Sequence, residues 1–351
     1  MNQPLNHSLH TFSPLEAYKV FPASAAPLTV SISQNNVSSA DLICNGERVA
    51  QAVLSSEPAQ KLTLTFAGGA PCEAQRAAVV AQLSHQFSLN PQLEKICIEL
   101  LEASFPLRDL PFLYTAGNEL FVERSGFYQT PLMWLGHQPA SRNSVGLMAG
   151  PDGRDHPRRP PHPQGLFYER YDRESDLTVS FRSVDLEKDL DLFHRWMNDR
   201  RVAYFWELDE SKDKLRSYLE AFANRPHTYP LISCINGEDA GYFETYWVRE
   251  DRLGPYYDSQ IWDRGWHGLI GERSHLGRAK TSATLRSLLH YLFLDCPMTE
   301  QVMGEPRADN TKLLSYASTL GYKKLKEFDF PHKRSALMEC TRDRFFSKVA
   351  L

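Results

Sequence analysis

The chain has 351 residues, which is enough for one large domain or for two ordinary domains with complete hydrophobic cores. Its 39 basic and 43 acidic residues give a formal charge of -4, so no broad basic field exists to neutralise a nucleic-acid backbone. The composition therefore excludes nucleic acid as the expected partner and favours a small or nucleotide-sized ligand.

The cysteines and the N-terminus indicate the cellular setting. The six cysteines are scattered and form no C-x-x-C pair, which favours reduced thiols over disulfides or a zinc site. The first residues lack a basic and apolar leader, and no apolar run approaches the ~18 residues of a membrane span. We therefore expect a soluble cytoplasmic protein with no membrane partner and no metal.

The N-terminal part of the chain contains strand and helix patterns. Residues 28–33 (LTVSIS), 62–67 (LTLTFA) and 95–100 (KICIEL) predict strands, and residues 72–89 predict an amphipathic helix. These elements predict a small α+β domain over residues 1–150. No motif in it assigns a chemistry, so its role is unknown, and the sequence indicates no internal repeat.

A stretch rich in proline, glycine and arginine follows this domain. Residues 136–165 show neither the helical nor the strand period, because proline removes backbone donors and glycine increases the entropy cost of ordering. We expect the domain boundary here, with a linker over residues 151–175 and a second domain over residues 176–351.

The second domain alternates its elements more regularly. Residues 177–184 (LTVSFRSV) predict a strand that is followed by two helices and then by three strands. A glycine-containing loop precedes a long helix over residues 278–295, and a strand, a helix and two strands complete the chain. The order βααβββαβαββ predicts an α/β (α+β) fold, in which helices flank a mixed sheet.

This order resembles the GCN5-related N-acetyltransferase (GNAT) fold, in which a glycine-containing loop presents backbone N–H groups to the pyrophosphate of acyl-coenzyme A. The loop SHLGRA has Gly277 and Ala279 at the family positions, and the N-terminus of the following helix favours an anion. Arg278 and Arg273 add positive charge, although exposed arginines are often simply solvated. The resemblance implies that Gly277, Arg278 and Ala279 bind the coenzyme.

The last helix carries a second family feature. Asn310, Ala317 and Tyr322 fit the family spacing, and the resemblance implies that Asn310 also binds the coenzyme. Many family members have a tyrosine at the position of Ala317, where it protonates the departing thiolate. Tyr316 is one residue away and points about 100° around the helix, so the identity of the general acid stays open.

Longer runs resemble the siderophore-biosynthesis branch of this superfamily, specifically the aerobactin-type N-hydroxylysine acetyltransferases. The resemblance covers residues 157–351 and rests on the runs RWMNDRRVAYFWE, GYFETYWVREDRLGPYYD, DRGWHGLIGE and GEPRADN. It implies transfer of an acetyl group from acetyl-coenzyme A to the nitrogen of an N-hydroxylated amine, which yields a hydroxamate that binds ferric iron. It also implies other siderophore-pathway enzymes as partners, while the oligomeric state, a dimer included, stays open.

His267 lies in WDRGWHGLIGE, a pattern otherwise typical of a buried strand, where a histidine is more often a satisfied core residue. In the related mycobactin-type acyltransferases, a histidine at this position is the general base and an acidic residue at the position of Glu305 assists it. The resemblance implies the same pair here, although Glu305 could instead pair with Arg307. His290, on the apolar face of the long helix, is expected to be a packed core residue.

Aromatic and basic residues are the candidates for binding the amine substrate. Trp206, Tyr246 and Trp247 are expected to line its aliphatic chain, although aromatic residues at these spacings also suit a core. Arg334 is expected to bind a substrate carboxylate or a coenzyme phosphate, with a solvated surface charge as the alternative.

Two other functions stay open from the sequence. An enzyme of this fold could transfer succinyl to N-hydroxyputrescine or N-hydroxycadaverine, because pocket shape sets both the acyl length and the amine. A protein of another class could bind acyl-coenzyme A without turnover, as a scaffold, and the missing tyrosine favours this reading. The presence of both His267 and Glu305 argues against it, since a binder needs neither residue.

Overall fold

The structure is a computed structural model, and it describes residues 17–21, 27–36, 38–55, 60–141, 146–349 and 351. The chain forms two compact units: unit 1 ends at Arg124, and unit 2 begins at Ser125. The division therefore lies earlier than the expected boundary at residue 150.

Unit 1 contains one eight-stranded sheet and a long helix. Its elements are β1 (Ala17–Val20), β2 (Leu28–Asn36), β3 (Ser39–Cys44), β4 (Glu47–Ser55), β5 (Lys61–Phe66), α1 (Cys72–Leu89), β6 (Lys95–Leu101), β7 (Leu113–Ala116) and β8 (Glu119–Glu123). The short helix α2 (Arg124–Tyr128) follows, and all of it except Arg124 belongs to unit 2. The strand order is β1-β2-β3-β4-β5-β6-β8-β7. Only β5 and β6 run parallel, and α1 joins them.

The predictions for unit 1 are confirmed for the elements that have a clear period. Helix α1 has the predicted bounds, and β2, β5 and β6 lie at the three predicted strands. The prediction that α1 is amphipathic is wrong, because every residue from Ala77 to Phe87 is buried and the helix has no exposed face there. In β5 the alternation of residues places Leu62, Leu64 and Phe66 in the core, because successive side chains of a strand face opposite sides. Strands β1, β3, β4, β7 and β8 were not predicted.

Unit 2 contains a second eight-stranded sheet with helices. Its strands are β9 (Leu147–Met148), β10 (His156–Pro157), β11 (Leu166–Asp172), β12 (Leu177–Ser183), β13 (Thr228–Ile235), β14 (Glu238–Trp247), β15 (Arg264–Ile270), β16 (Gln301–Gly304), β17 (Lys323–Asp329) and β18 (Arg334–Thr341). Its helices are α3 (Leu186–Met197), α4 (Arg200–Trp206), α5 (Lys212–Glu220), α6 (Arg278–Asp295), α7 (Thr311–Thr319) and α8 (Arg342–Lys348).

The large sheet of unit 2 has the order β11-β12-β13-β14-β15-β16-β18-β17, and the short strands β9 and β10 pair with each other. Only β15 and β16 run parallel within the large sheet, and α6 joins them. The predicted mixed sheet with flanking helices is confirmed. The linker expected over residues 151–175 is wrong in its second half, because β11 lies there and pairs with β12.

The two large sheets share one topology. Each has its strands in the order first to sixth, then eighth, then seventh, and in each a helix joins the parallel fifth and sixth strands. The expectation of no internal repeat is therefore wrong at the level of the fold. Within the part of the chain that the structure describes, no helix is long and apolar enough to cross a membrane.

Candidate active site

His267 and Glu305 come together where two strands of unit 2 diverge. Strands β15 and β16 pair only at two positions, the last being Gly265 opposite Met303. His267 lies two residues beyond this pair on β15, and Glu305 follows the end of β16. Nε2 of His267 lies 2.6 Å from Oε1 of Glu305, whose side chain is buried.

Tyr246 of β14 holds the second oxygen of the carboxylate. Its hydroxyl donates to Oε2 of Glu305 at 2.7 Å, and its ring centre lies 4.8 Å from that of His267. Gly265, opposite Tyr246 on β15, leaves the space for this ring: a Cβ there would lie 2.4 Å from a ring carbon. The carboxylate is therefore fixed from both sides.

Two cations lie next to this pair. Nη2 of Arg252 lies 3.2 Å from Nε2 of His267 and 3.5 Å from Oε1 of Glu305. Nζ of Lys333 donates to the backbone oxygen of Glu305 at 2.9 Å. The buried carboxylate is therefore surrounded by positive charge, as a buried ion requires.

The charges shift the two acid–base groups in opposite directions. Burial alone would raise the pKa of Glu305, but His267 and Lys333 hold this pKa well below its usual range. Burial alone would lower the pKa of His267, but the charge of Glu305 and the interaction with Glu244 raise it to about 9. The site thus pairs a carboxylate with an imidazole that has an unusually high proton affinity.

Glu244 flanks the imidazole on the side opposite Glu305. It lies directly across from His267 in the β14–β15 register, and its Oε2 is 3.8 Å from Nδ1 of His267. Its Oε1 accepts hydrogen bonds from the hydroxyls of Tyr218 at 2.6 Å and Tyr242 at 2.9 Å. The sequence analysis missed Glu244, Arg252 and the role of Tyr246 in holding Glu305.

The glycine loop leads into helix α6. Gly277 is the N-cap of α6 and has a φ of +131°, a conformation that L side chains rarely adopt. Arg278 and Ala279 form the first turn, which contains no acidic residue. Arg273 does not add a free charge, because it pairs with Asp199. The helix N-terminus and Arg278 remain to attract an anion.

The family features of residues 310–317 lie on helix α7, where they also have structural roles. The side chain of Asn310 accepts a hydrogen bond from the backbone N–H of Leu313 at 3.1 Å, so it caps α7. Ala317 is buried in the core, and Tyr316 is half-buried beside it. Neither residue is a proton donor placed at the His267–Glu305 pair by a described contact.

The structure separates the residues expected to bind the amine. Trp206 packs against Tyr242, with ring centres 5.7 Å apart, and so lies beside the residues that hold Glu244. Trp247 is buried on the other face of the sheet, because it follows Tyr246 directly along the strand. Its ring packs between the guanidinium groups of Arg159 and Arg264.

Arg334 also lies apart from the catalytic pair. It is exposed at the start of β18 and pairs with Glu327 and Asp329 of the neighbouring strand, as an ordinary surface charge does. His290 is fully buried, with one ring nitrogen 2.9 Å from the hydroxyl of Tyr168 and the other donating to the backbone oxygen of Tyr128. The prediction of a packed core histidine is confirmed.

Comparisons with known proteins point in one direction. The family described as acetyltransferase (GNAT) domain matches residues 185–330. An N(6)-hydroxylysine O-acetyltransferase of Escherichia coli is 42% identical over 270 residues, which are 77% of this chain and 85% of that protein. A hydroxyornithine transacylase of Ajellomyces capsulatus is 35% identical over 271 residues, which are 70% of this chain and 62% of that protein.

A solved structure gives the same indication for the fold. An uncharacterized protein from Bacillus halodurans is 30% identical, with a TM-score of 0.50, and the match covers 52% of this chain and 94% of that one. The match therefore spans almost the whole of the smaller protein and about half of this chain.

Proposed function

The chain belongs to the GNAT acetyltransferases, in a group with N(6)-hydroxylysine acetyltransferase and hydroxyornithine transacylase, and we propose that it acylates the hydroxylamine nitrogen of N-hydroxylysine or a similar N-hydroxylated amine. The donor is acyl-coenzyme A, with acetyl as the acyl group. The product is a hydroxamate, a bidentate oxygen ligand for ferric iron, and so a component of a siderophore. The cosubstrate and the free thiols suit the cytoplasm.

The observation that carries this proposal is the His267–Glu305 pair with Tyr246 behind it. The hydroxylamine nitrogen attacks the thioester carbonyl, the C–N bond forms, the C–S bond breaks, and the N–H proton passes to His267. Glu305 orients the imidazole and stabilises its charged form. The transfer is direct, and no acyl-enzyme is formed.

The coenzyme is assigned to the opening between β15 and β16. Beyond the pair of Gly265 and Met303, the backbone of β15 has no partner strand on that side, so its N–H groups are available to a thioester oxygen. Gly277, Arg278 and Ala279 would hold the pyrophosphate at the start of α6. Asn310, which caps α7, would contribute near the coenzyme from the N-terminus of that helix.

On the amine side, the proposal keeps Trp206, which is partly exposed and packs against Tyr242. Tyr246 is fully buried and contacts the catalytic pair from behind, so we assign it a positioning role and not a contact with the amine. Trp247 and Arg334 are not retained as substrate residues, because one is buried on the far face of the sheet and the other is paired on the surface.

A second candidate differs in the atom that is acylated. The relative from Escherichia coli is named an O-acetyltransferase. A hydroxylamine offers two adjacent nucleophiles, and oxygen attack would give an O-acyl hydroxylamine that cannot chelate iron as a hydroxamate does. A ferric-iron colour test on the product distinguishes the two.

One assay tests the whole proposal. Coenzyme A release and ferric-hydroxamate colour would be measured with N-hydroxylysine, N-hydroxyornithine, N-hydroxyputrescine and N-hydroxycadaverine, each with acetyl- and succinyl-coenzyme A. We expect acetyl transfer to a hydroxylated amine with matching colour and thiol release. Faster succinyl transfer to a diamine would replace the substrate assignment. Tight coenzyme binding with no turnover of any amine would indicate a scaffold.

A further inference from the structure

Glu244 is a buried carboxylate that the mechanism above leaves without a task. Its side chain is 8% exposed, and two phenol hydroxyls, those of Tyr218 and Tyr242, both donate to Oε1. The remaining oxygen, Oε2, faces Nδ1 of His267 across 3.8 Å. Burying a charged group is costly unless it is paired, so this oxygen needs a partner that carries positive charge or a donor hydrogen.

The two nitrogens of His267 are not equivalent. Nε2 is occupied by Glu305 at 2.6 Å and is approached by Arg252. Nδ1 makes no hydrogen bond within the described residues, because 3.8 Å from Oε2 of Glu244 is beyond hydrogen-bond range. The side chain of His267 is 25% exposed, so the ring is accessible from outside. Nδ1 is therefore the nitrogen that can meet a substrate.

The spacing of Nδ1 and Oε2 suits a group that has two adjacent donors. The N–H and O–H of a hydroxylamine lie on neighbouring atoms, and hydrogen bonds of about 2.8 Å from them reach two acceptors at this spacing. We propose that Nδ1 of His267 and Oε2 of Glu244 form the binding site of the hydroxylamine group, and that Glu244 recognises the N-hydroxyl. This inference rests on the proposed function.

Acyl transfer at this binding site moves one proton and breaks one bond for the bond that forms. The hydroxylamine nitrogen loses its N–H proton to Nδ1 as the C–N bond forms, and the thiolate leaves with the electron pair of the C–S bond. Glu244 neither gains nor loses a proton overall. A parent amine has no O–H for Oε2, and at neutral pH it is an ammonium ion, which can pair with the carboxylate but has no free electron pair to attack the thioester.

Glu244→Gln in the full chain tests the proposal. We expect kcat/KM for the hydroxylated amine to fall roughly 10-fold to 100-fold, with the KM for acetyl-coenzyme A unchanged, and the preference over the parent amine to fall with it. Glu220→Gln is the matched control, because Glu220 is exposed at the end of α5 and should behave as wild type.

Tyr218→Phe is a second, milder variant. It removes one of the two phenols that hold Glu244, and it should lower the same preference by a smaller factor. If the wild-type enzyme acylates hydroxylated amines and both variants keep its preference over the parent amine, the role of Glu244 is overturned and the proposed function is not. A wild-type chain that acylates no hydroxylated amine would instead overturn the proposed function.

A separate observation concerns unit 1, whose sheet repeats the topology of unit 2. Adding 206 to the residue numbers of α1 gives those of α6, from Cys72 and Arg278 to Leu89 and Asp295. The same step relates identical residues in the last turns of the helices and in the segments that follow. These pairs are Phe87 and Phe293, Pro91 and Pro297, Glu94 and Glu300, and Glu99 and Glu305.

An arginine makes the same contacts in both units. Arg124 donates through Nε to the backbone oxygen of residue 93, and through Nη2 to those of residues 87 and 90. Arg342 donates through Nε to the oxygen of residue 299, and through Nη2 to those of residues 293 and 296. Three matched bonds at matched spacing indicate an internal duplication.

The catalytic positions can now be compared. Parallel pairing sets Lys61 opposite Cys97 in unit 1 and Gly265 opposite Met303 in unit 2. Two residues further along these strands, Thr63 lies opposite Glu99 in unit 1. The corresponding positions in unit 2 are those of His267 and Glu305. The hydroxyl of Thr63 donates to Glu99 at 3.1 Å, so the carboxylate is present and the imidazole is not.

The start of the long helix has changed as well. In unit 2 the first turn of α6 has Arg278 and Lys280 and no acidic residue. The corresponding positions of α1 are Cys72 and Ala74, and Glu73 stands at the position of Ala279. The charge near the helix N-terminus has thus changed from positive to negative, which disfavours a pyrophosphate.

We infer that unit 1 is a second copy of the acyltransferase fold that has lost both the base and the coenzyme site, so that the chain binds one acyl-coenzyme A. Calorimetric titration of the full chain with acetyl-coenzyme A should give one equivalent. Gly277→Val should weaken this binding at least 10-fold. Two equivalents in the wild type, or one equivalent bound by the variant with wild-type affinity, would overturn the inference.

Matched glutamate variants separate this inference from the proposed function. Glu99→Gln should leave turnover at the wild-type rate, whereas Glu305→Gln should lower it roughly 10-fold. A loss of turnover in Glu99→Gln would mean that unit 1 takes part in catalysis. Unchanged turnover in both variants would count against the catalytic pair and leave the duplication intact.

Discussion

Nε2 of His267 lies 2.6 Å from Oε1 of the buried Glu305, and this contact joins two residues that are 38 positions apart in the chain. The contact exists because β15 and β16 run parallel for only two pairs and then diverge. A hydrogen bond between opposite charges in a buried place is strong, since little water competes for either partner. Each residue therefore sets the protonation of the other.

Removal of the imidazole is the most direct test of this pair. His267→Ala should lower the acyl-transfer rate roughly 100-fold or more. Among the described groups that contact Glu305, the imidazole is the one that can accept the substrate proton. Binding of acetyl-coenzyme A, measured by calorimetry, should be nearly unchanged. Near wild-type turnover in this variant would remove His267 from the mechanism.

The raised pKa of His267 gives a prediction about pH. A general base works only when it is unprotonated, so kcat/KM should rise with pH and level off above about 9. Glu305 and Glu244 increase the proton affinity of the ring, and the positive charge of Arg252 opposes them. Glu305→Gln should therefore move the midpoint of the pH profile downward.

The direction of the profile also decides the role of the residue. If the rate falls as pH rises through 9, the protonated imidazole is the active form, and His267 is the acid that protonates the thiolate. An Arg252→Gln variant is a useful companion, because loss of its charge should move the midpoint upward.

Gly265 is predicted to be essential for the position of Tyr246. A methyl group at Gly265 would lie 2.4 Å from the ring of Tyr246, so Gly265→Ala should push this ring away from Glu305. We expect a loss of about 1–3 kcal/mol in the free energy of unfolding, as for other overpacked cores, together with a lower kcat. Chemical denaturation and steady-state kinetics measure the two effects.

Tyr246→Phe provides the comparison for Gly265→Ala. It keeps the ring in place and removes only the hydroxyl that donates to Glu305. It should lower kcat with a smaller effect on stability. A Gly265→Ala chain that is as stable and active as wild type would show that the ring has room to move.

Much of unit 2 could be predicted from the sequence, because its helices carry strong local signals. Helix α6 has the predicted bounds, and Asp185 caps α3 directly before an amphipathic run, which is a local signal for a helix start. Strand β11 was missed, because it follows a proline-rich stretch closely and reads as part of it. Local pattern could not separate the two.

The site was predictable only in part, for a geometric reason. His267 and Glu305 came from a family resemblance, since no local rule reports a contact across 38 residues. Glu244 could not be found, because its place beside His267 depends on the β14–β15 register, which a one-residue shift would change. The prediction of Trp247 as a substrate residue is wrong for the same reason, because strand register and burial decide which face of the sheet its side chain occupies.

The duplication was also invisible to inspection of the sequence. Its two copies share identical residues at few positions, such as Phe87 and Phe293 or Glu94 and Glu300, and these positions form no continuous motif. What persisted is the geometry of a parallel strand pair, a helix of constant length and an arginine that fixes the helix end. Such features tolerate wide changes in side chains, so the fold outlasts the sequence similarity.

The last prediction concerns Gly277 and the coenzyme. Its φ of +131° is accessible to glycine and strained for other residues, so Gly277→Val should reshape the loop before α6. If the backbone there holds the pyrophosphate, the KM for acyl-coenzyme A should rise at least 10-fold, and the KM for the amine should change little. Gly237→Val is the matched control, because Gly237 has a φ of +82° in the turn between β13 and β14. That variant should lose stability and keep its KM for the coenzyme, whereas equal rises of both KM values in Gly277→Val would mean that the loop supports the whole site and not the phosphates.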